Sequence, residues 1–347
     1  MLTSGKTQAS PFGRAARLVM TEPLYPLRFE PIFKRLIWGG RRLATVLGKP
    51  LGEGSDYAES WEVSDHRDDV SRVAEGPLAG LGLRDLVWNR KADVLGPALA
   101  DRDQFPLLVK FLDANQVLSV QVHPDDDRGK ILADDNGKTE AWVIVHAEPG
   151  STIYAGLKAG VTRVAFAAAM ESGQVEPLLH QFPARTGDFI LIKAGTVHAI
   201  GAGIVLAEVQ QMSDATFRVH DWGRLGADGR PRALHFAQAL QSTDFEAGPV
   251  HPSKTVAEAI AGGTRERLVH CPQFAIDRLH LHGPTPVGSL ERFTLLLGLD
   301  GAAEVRHRGN AYPIGFGETL LLPAMLGACE VAPRGGNGAT LLTCVVP

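Results

Sequence analysis

Gln121 and His123 stand two residues apart in Val-Leu-Ser-Val-Gln-Val-His (117–123). Glu140 follows in Gly-Lys-Thr-Glu-Ala-Trp (137–142), and His198 closes Gly-Asp-Phe-Ile-Leu-Ile-Lys-Ala-Gly-Thr-Val-His (187–198). One amide, one carboxylate and two imidazoles suit a divalent metal such as zinc. The spacing matters because a strand projects residues i and i+2 to one face. Gln121 and His123 can therefore reach one ion from one strand, and Lys138 stands beside Glu140 on another. Taken alone, a histidine reads equally well as one satisfying local hydrogen bonds. Gln121 at i−2 of His123, the tight turn after it, and the turn before His198 favour ligation. Gln121 is the weakest of the four, since a neutral amide can instead orient water or substrate.

These residues need a scaffold, and the composition bounds it. A chain of 347 residues exceeds what one hydrophobic core usually serves, which points to two domains. A hydrophobic share of 44% and a charged share of 21% are those of an ordinary soluble globular protein. The net charge of −4 leaves no basic surplus, which argues against nucleic acid as a partner. Cys271, Cys329 and Cys344 are odd in number and form no CxxC pattern. They fit buried thiols in a reducing compartment, and a cytoplasmic location is expected. No apolar run approaches the roughly 20 residues of a membrane helix, so no membrane partner is expected. Residues 1–23 are expected to form a disordered tail, with Met20 as an alternative start, because regular patterning begins only near Leu24.

Short apolar runs bounded by Gly, Pro, Asn and Asp predict a mainly β protein with a few helices. Strands are expected over 57–63, 105–112, 117–123, 140–146, 188–193 and 204–210. Helices are expected over 83–99, 161–172 and 176–182. The cluster Asp125, Asp126, Asp127 lacks the spacing and central glycine of a calcium loop and reads as a solvated acidic turn. A faint internal repeat relates 140–150 to 291–301 and 187–194 to 317–324. The offsets, 151 and 130, differ by 21, close to the length of the helices predicted between 161 and 182. Two β domains of one design follow, 24–245 with a helical insertion and 246–347, joined near 243–253. In this alignment Ala328 stands where the first copy has His198. The second copy is therefore read as degenerate, and His280, His282 and Glu291 are not expected to hold a second metal.

Both copies resemble the second signature of the cupins: a glycine, five residues, a proline, then a glycine and a histidine. Lys193 replaces the proline in the first copy. The resemblance implies two cupin-like jelly-roll β-barrels, the first with a metal at its mouth. The segment 208–224 is dense in polar groups beside aromatics, as a site wall would be. Its Arg218 and Arg224 suit bidentate phosphate binding, with surface ion pairing as the other reading.

Taken in order, 30–34, 37–40, 59–64, 105–114, 118–126, 137–142, 195–200 and 208–218 resemble the type I mannose-6-phosphate isomerases in their shorter bacterial form. The match runs from about Leu27 to the C-terminus. The resemblance implies zinc, one per chain, held by Gln121, His123, Glu140 and His198. It implies Arg218 as the active-site arginine, with Lys138 and Asp214 as further candidates for catalysis or phosphate contact. Phe217 and His220 depart from the expected tyrosines, which bears only on fine substrate preference. The implied reaction is aldose–ketose isomerisation of a small sugar phosphate through a cis-enediolate. Gln121, Lys138 and Arg218 would then contact substrate, and Asp214 or Glu208 would move the proton. A monomer or homodimer is expected. The rival readings are a metal-dependent cupin oxidoreductase or decarboxylase using iron or manganese, and a sugar-phosphate-binding cupin without catalysis.

Overall fold

The computed structural model describes residues 22–226 and 228–347. The tail expected over 1–23, apart from Glu22 and Pro23, and the alternative start at Met20 lie outside the described residues. The protein is mainly β. Its first part contributes β1 (Ile32–Gly40), β2 (Tyr57–Val63), β3 (Asp65–His66), β4 (Asp69–Val70), β5 (Leu107–Ala114) and β6 (Val120–Val122). It continues with β7 (Glu140–Ala147), β8 (Thr152–Leu157), β9 (Leu179–Pro183), β10 (Phe189–Ile192), β11 (His198–Ile200), β12 (Ile204–Gln211) and β13 (Phe217–His220). A six-stranded sheet runs β1-β2-β5-β12-β7-β10, and a five-stranded sheet runs β13-β6-β11-β8-β9. The strands between Ala257 and Val345 form one nine-stranded sheet.

The six-stranded sheet is buried on both faces, which is why β5 and β12 read as near-continuous apolar runs. Their alternate residues go to different cores. Val109, Phe111, Val205, Ala207 and Val209 join a cluster that also holds Phe274, Phe293, Leu295 and Leu342 from the second part of the chain. Leu112, Ala114, Ile204 and Leu206 pack with Ile153, Ala155 and Ile200 of the five-stranded sheet. Phe105 and Phe293, both fully buried, meet at 4.6 Å between ring centroids where the two parts join. Each such ring contributes roughly 1.5–3 kcal/mol by burial. Lys110 and Glu208 lie on the face turned toward the five-stranded sheet, polar residues among apolar ones, and so mark a site.

The strand expectations hold to within a few residues at their ends, and two helices hold with adjustments. The predicted 83–99 helix runs Leu83–Leu95, then breaks at Gly96 (φ 93°) before a 3₁₀ turn at Pro97–Leu99. The predicted 161–172 helix begins later, at Arg163–Ser172, where the Thr162 side chain accepts the Ala165 N–H. The 176–182 helix is a correction. Only Glu176–Leu178 turns, and 179–183 is β9, paired with β8. Pro177 suits the first turn alone, and pairing with β8 draws 179–183 into the sheet.

The acidic cluster is a second correction. It is the start of a helix, Asp126–Ala133, capped by Asp125 accepting from Arg128 N–H. Helix Phe236–Ser242 was not anticipated. Both aligned strand pairs of the internal repeat do pair in space: β10 with β7, and Thr319–Leu322 with the start of Thr294–His307, each antiparallel. Among the described residues no helix is long and apolar enough to cross a membrane.

Candidate metal centre

Cross-strand register gathers the site. On the five-stranded sheet His198, Gln121 and Arg218 form one rung across β11, β6 and β13. On the six-stranded sheet Trp142, Glu208, Lys110 and Trp61 form a rung across β7, β12, β5 and β2. Gln121 and Arg218 of the first rung and all four residues of the second line a cavity of roughly 400 Å³. Glu140, two residues before Trp142, shares its face. His123 lies just beyond β6, two residues after Gln121. The Gly195 N–H donates to His123 O at 2.8 Å, so the turn that launches His198 is tied to the other histidine.

At the floor, Glu140 Oε2 lies 3.3 Å from His123 Nε2 and Oε1 lies 3.3 Å from His198 Nε2. The three ligand atoms lie within 4.8 Å of one another, and all three residues are buried. Each imidazole donates its Nδ1–H to a backbone carbonyl, His123 to Ala215 O and His198 to Thr196 O, both at 2.8 Å. That fixes the tautomer and leaves both Nε2 lone pairs facing Glu140. Burial, then Lys138 and the other histidine, hold His123 well below its ordinary pKa. Burial also lowers His198, against the pull of Glu140. Both rings are thus neutral, as ligands must be. Burial would raise Glu140, but the Lys138 ammonium outweighs it and keeps the carboxyl ionised. Its two oxygens have no hydrogen-bond partner though buried. A buried carboxylate that faces two imidazole lone pairs, with the Lys138 ammonium 3.2 Å from Oε2 on one side, is the chemistry of a cation site, so these residues fit a divalent metal.

Gln121 directs its amide nitrogen to His198 Nε2 at 3.3 Å and its oxygen to Ser119 Oγ at 3.4 Å. A half-turn of the amide would present the oxygen to the centre instead. Lys138 Nζ is 3.2 Å from both His123 Nε2 and Glu140 Oε2. Glu208 is buried beside Glu140, and burial together with that second charge pushes its carboxyl up to about 7. Asp214 lines the cavity but is exposed. Arg218 also lines it. Its Nη1 donates to Ala233 O at 2.9 Å while its buried Nε–H has no acceptor. Burial and then Arg232 lower its pKa. Arg224 does not reach the cavity; it holds Asp221 and Val117 O. Phe217 packs into the apolar cluster behind the sheet, and neither it nor His220 lines the cavity.

Among the lining residues that sequence reasoning did not assign to the site are Lys34, Glu59, Trp61, Lys110 and Arg232. Lys110 is 2% exposed, 3.4 Å from Glu59 and 4.0 Å from Glu208. Burial works to lower it, but Glu59, Glu208, Asp214 and Glu140 outweigh burial and raise it, so it stays cationic. The signal was available: a lone lysine inside Leu-Leu-Val-Lys-Phe-Leu, a run that is otherwise apolar.

Comparison with known proteins gives the family. The family model for the catalytic domain of type I phosphomannose isomerase matches residues 27–140. The chain is 34% identical over 314 residues to the mannose-6-phosphate isomerase of Bacillus subtilis, covering 88% of this chain and 95% of the relative. It is 32% identical over 311 residues to the mannose-6-phosphate isomerase of Streptococcus mutans, covering 88% and 93%. The crystal structure of the mannose 6-phosphate isomerase from Bacillus subtilis superposes with a TM-score of 0.84 at 30% identity, covering 92% of this chain and 99% of that one.

Proposed function

The chain belongs to the type I phosphomannose isomerases, and from that premise we propose that it interconverts mannose 6-phosphate and fructose 6-phosphate with one zinc ion per chain. The observation that carries this reading is the buried His123–Glu140–His198 centre facing a cavity that alternates cations with one elevated carboxyl. Gln121, His123, Glu140 and His198 would hold the ion, which supplies Lewis-acid stabilisation of negative charge on the sugar oxygens. The remaining chemistry falls to the chain's own side chains.

Glu208 is the base. A carboxyl pushed up to about 7 gives and takes a proton readily near neutral pH. Exposed Asp214 stands at the rim and does not share that environment. Glu208 removes the C2 proton of the aldose, and the C2–H electron pair becomes the C1–C2 double bond of a cis-enediolate. The former carbonyl electrons pass to O1, and the O2 hydroxyl proton is transferred to O1. Glu208 then returns its proton to C1, which leaves the carbonyl at C2. Lys110 keeps Glu208 from rising further, and Lys138 adds positive charge where the oxygens become anionic. Arg218, with its unpartnered Nε–H, and Arg232 at the rim take the phosphate.

The test is direct conversion of mannose 6-phosphate by zinc-loaded protein, with and without chelator. Conversion that the chelator abolishes is expected. No conversion by a zinc-loaded preparation would end this reading, and chelator-insensitive conversion would end the metal's part in it.

A further inference from the structure

A hydrogen-bonded brace ties His66 and Asp135, neither of which lines the cavity, to a loop that does. His66, on the short hairpin β3–β4, is 7% exposed and its Nε2–H donates to Asp135 Oδ2 at 3.0 Å. Asp135, 8% exposed, accepts two further bonds: the Asp214 N–H on Oδ2 at 3.0 Å and the Asn136 N–H on Oδ1 at 2.8 Å. Its carboxylate thus joins three chain segments.

The hairpin end is fixed independently. Asp65 accepts from Phe105 N–H at 3.0 Å and from Arg84 Nε at 2.7 Å, its carbonyl accepts from Gln104 Nε2, and Ser64 Oγ donates to Asp69 O. The other two segments carry the site. Residues 134–138 lead into Lys138 and Glu140. Residues 212–216 present Asp214 to the cavity and supply Ala215 O, the acceptor that sets the His123 tautomer. Asn136 Nδ2 donates to Met212 O and Ser213 Oγ donates to Asn136 O, so these two loops are tied to each other.

We propose that His66 is a positioning residue for the metal centre, acting through Asp135 to hold the 212–216 loop at the height where Ala215 O meets His123 Nδ1. The inference rests on the reading of His123, Glu140 and His198 as metal ligands, and it adds a remote residue to them. Losing the brace lets the 212–216 loop drift and frees the His123 ring, so metal binding weakens although every ligand is present. Outer partners of a metal site act in this way on ligand orientation.

Three variants separate the brace from mere packing. In His66→Gln the amide Nε2 can reach the position of the imidazole Nε2, whereas His66→Asn is polar but too short. Cobalt(II) serves as probe, since its visible absorption reports ligand geometry without any turnover. His66→Asn should weaken cobalt binding about tenfold and change the absorption bands, while His66→Gln should stay within about threefold of the parent with its spectrum. Asp135→Asn, which loses one acceptor at unchanged size, should weaken binding as His66→Asn does, and it carries the test if His66→Asn does not fold.

A folded His66→Asn or Asp135→Asn protein with parental affinity and spectrum would overturn the proposal. Equal weakening by Asn and Gln at position 66 would also overturn it, because volume and not the bond would then matter. His123→Ala separates the two levels. It should abolish cobalt binding, and if it binds as the parent does, the centre itself has been misassigned and the brace falls with it.

Discussion

Replacing Lys110 with Met removes a buried charge at nearly constant length and gives a quantitative handle on the proton-transfer step. The ammonium is 4.0 Å from Glu208 and 3.4 Å from Glu59, with almost no exposure to water. At an effective dielectric of about 20, the attraction at 4.0 Å is about 4 kcal/mol. That is an upper bound of about three pKa units at 1.36 kcal/mol per unit. Lys138 remains beside the pair and water can partly enter the space, so a rise of about two units is a reasonable working figure.

Glu208 stands at about 7 before a metal's charge acts on it. Bound metal offsets the Glu140 charge and lowers this starting point in both proteins alike, so the comparison reads the displacement between the two pH profiles, about two units toward alkaline pH. The assay is kcat for mannose 6-phosphate across about pH 5 to 9.5 on zinc-loaded proteins. On the acid limb, below both midpoints, Lys110→Met should run about 100-fold below the parent and recover toward alkaline pH as Glu208 ionises. An intact kcat rising through the same pH as the parent would refute both the coupling and the assignment of Glu208 as base.

His198→Ala removes a ligand that is completely buried, so zinc content by atomic absorption should fall from one per chain toward none, with activity following it; retained zinc would contradict the ligand set. Arg218→Ala should keep its zinc but lose about 100-fold in kcat/KM for mannose 6-phosphate, the worth of a charged hydrogen bond of about 3 kcal/mol. The same variant should handle unphosphorylated mannose as the parent does, and an equal loss on both sugars would remove the phosphate role. Asp221 bridges Arg224 and Arg232; burial would raise its carboxyl, but those two guanidinium groups outweigh burial and hold it below its ordinary value. A depressed folded-state pKa contributes stability that is fully present above the unfolded value of about 3.9 and is lost as pH falls through the folded one. Asp221→Asn should therefore cost about 1.5–3 kcal/mol at pH 7 by thermal unfolding, and that difference should shrink on acidification below about pH 4. A difference that does not change with pH would deny the ion pair.

The floor of the centre was legible because strand parity alone places Gln121 and His123 on one face and Glu140 beside Lys138. Strand pairing decides the rest. Lys110 and Glu208 become neighbours only through the pairing of β5 with β12, more than ninety residues away in the chain, and no local pattern reports that register. Glu59 and Trp61 enter through β2 for the same reason. The helix expected over 176–182 failed because Leu-Leu-His-Gln-Phe suits either state, and edge pairing with β8 decides between them. The acidic run 125–127 read as a loop because its capping role depends on the helix it begins. His66 and Asp135 carry no motif at all, and their meaning comes from the two loops that they join.

Metal reconstitution tests the central claim most directly. Protein stripped by chelator and dialysed free of it should convert no mannose 6-phosphate, and zinc added stepwise should restore conversion linearly up to one equivalent per chain and no further. His123→Ala should stay inactive throughout the same titration. Full activity in the stripped protein, or restoration that His123→Ala shares, would contradict a zinc-dependent isomerase built on His123, Glu140 and His198.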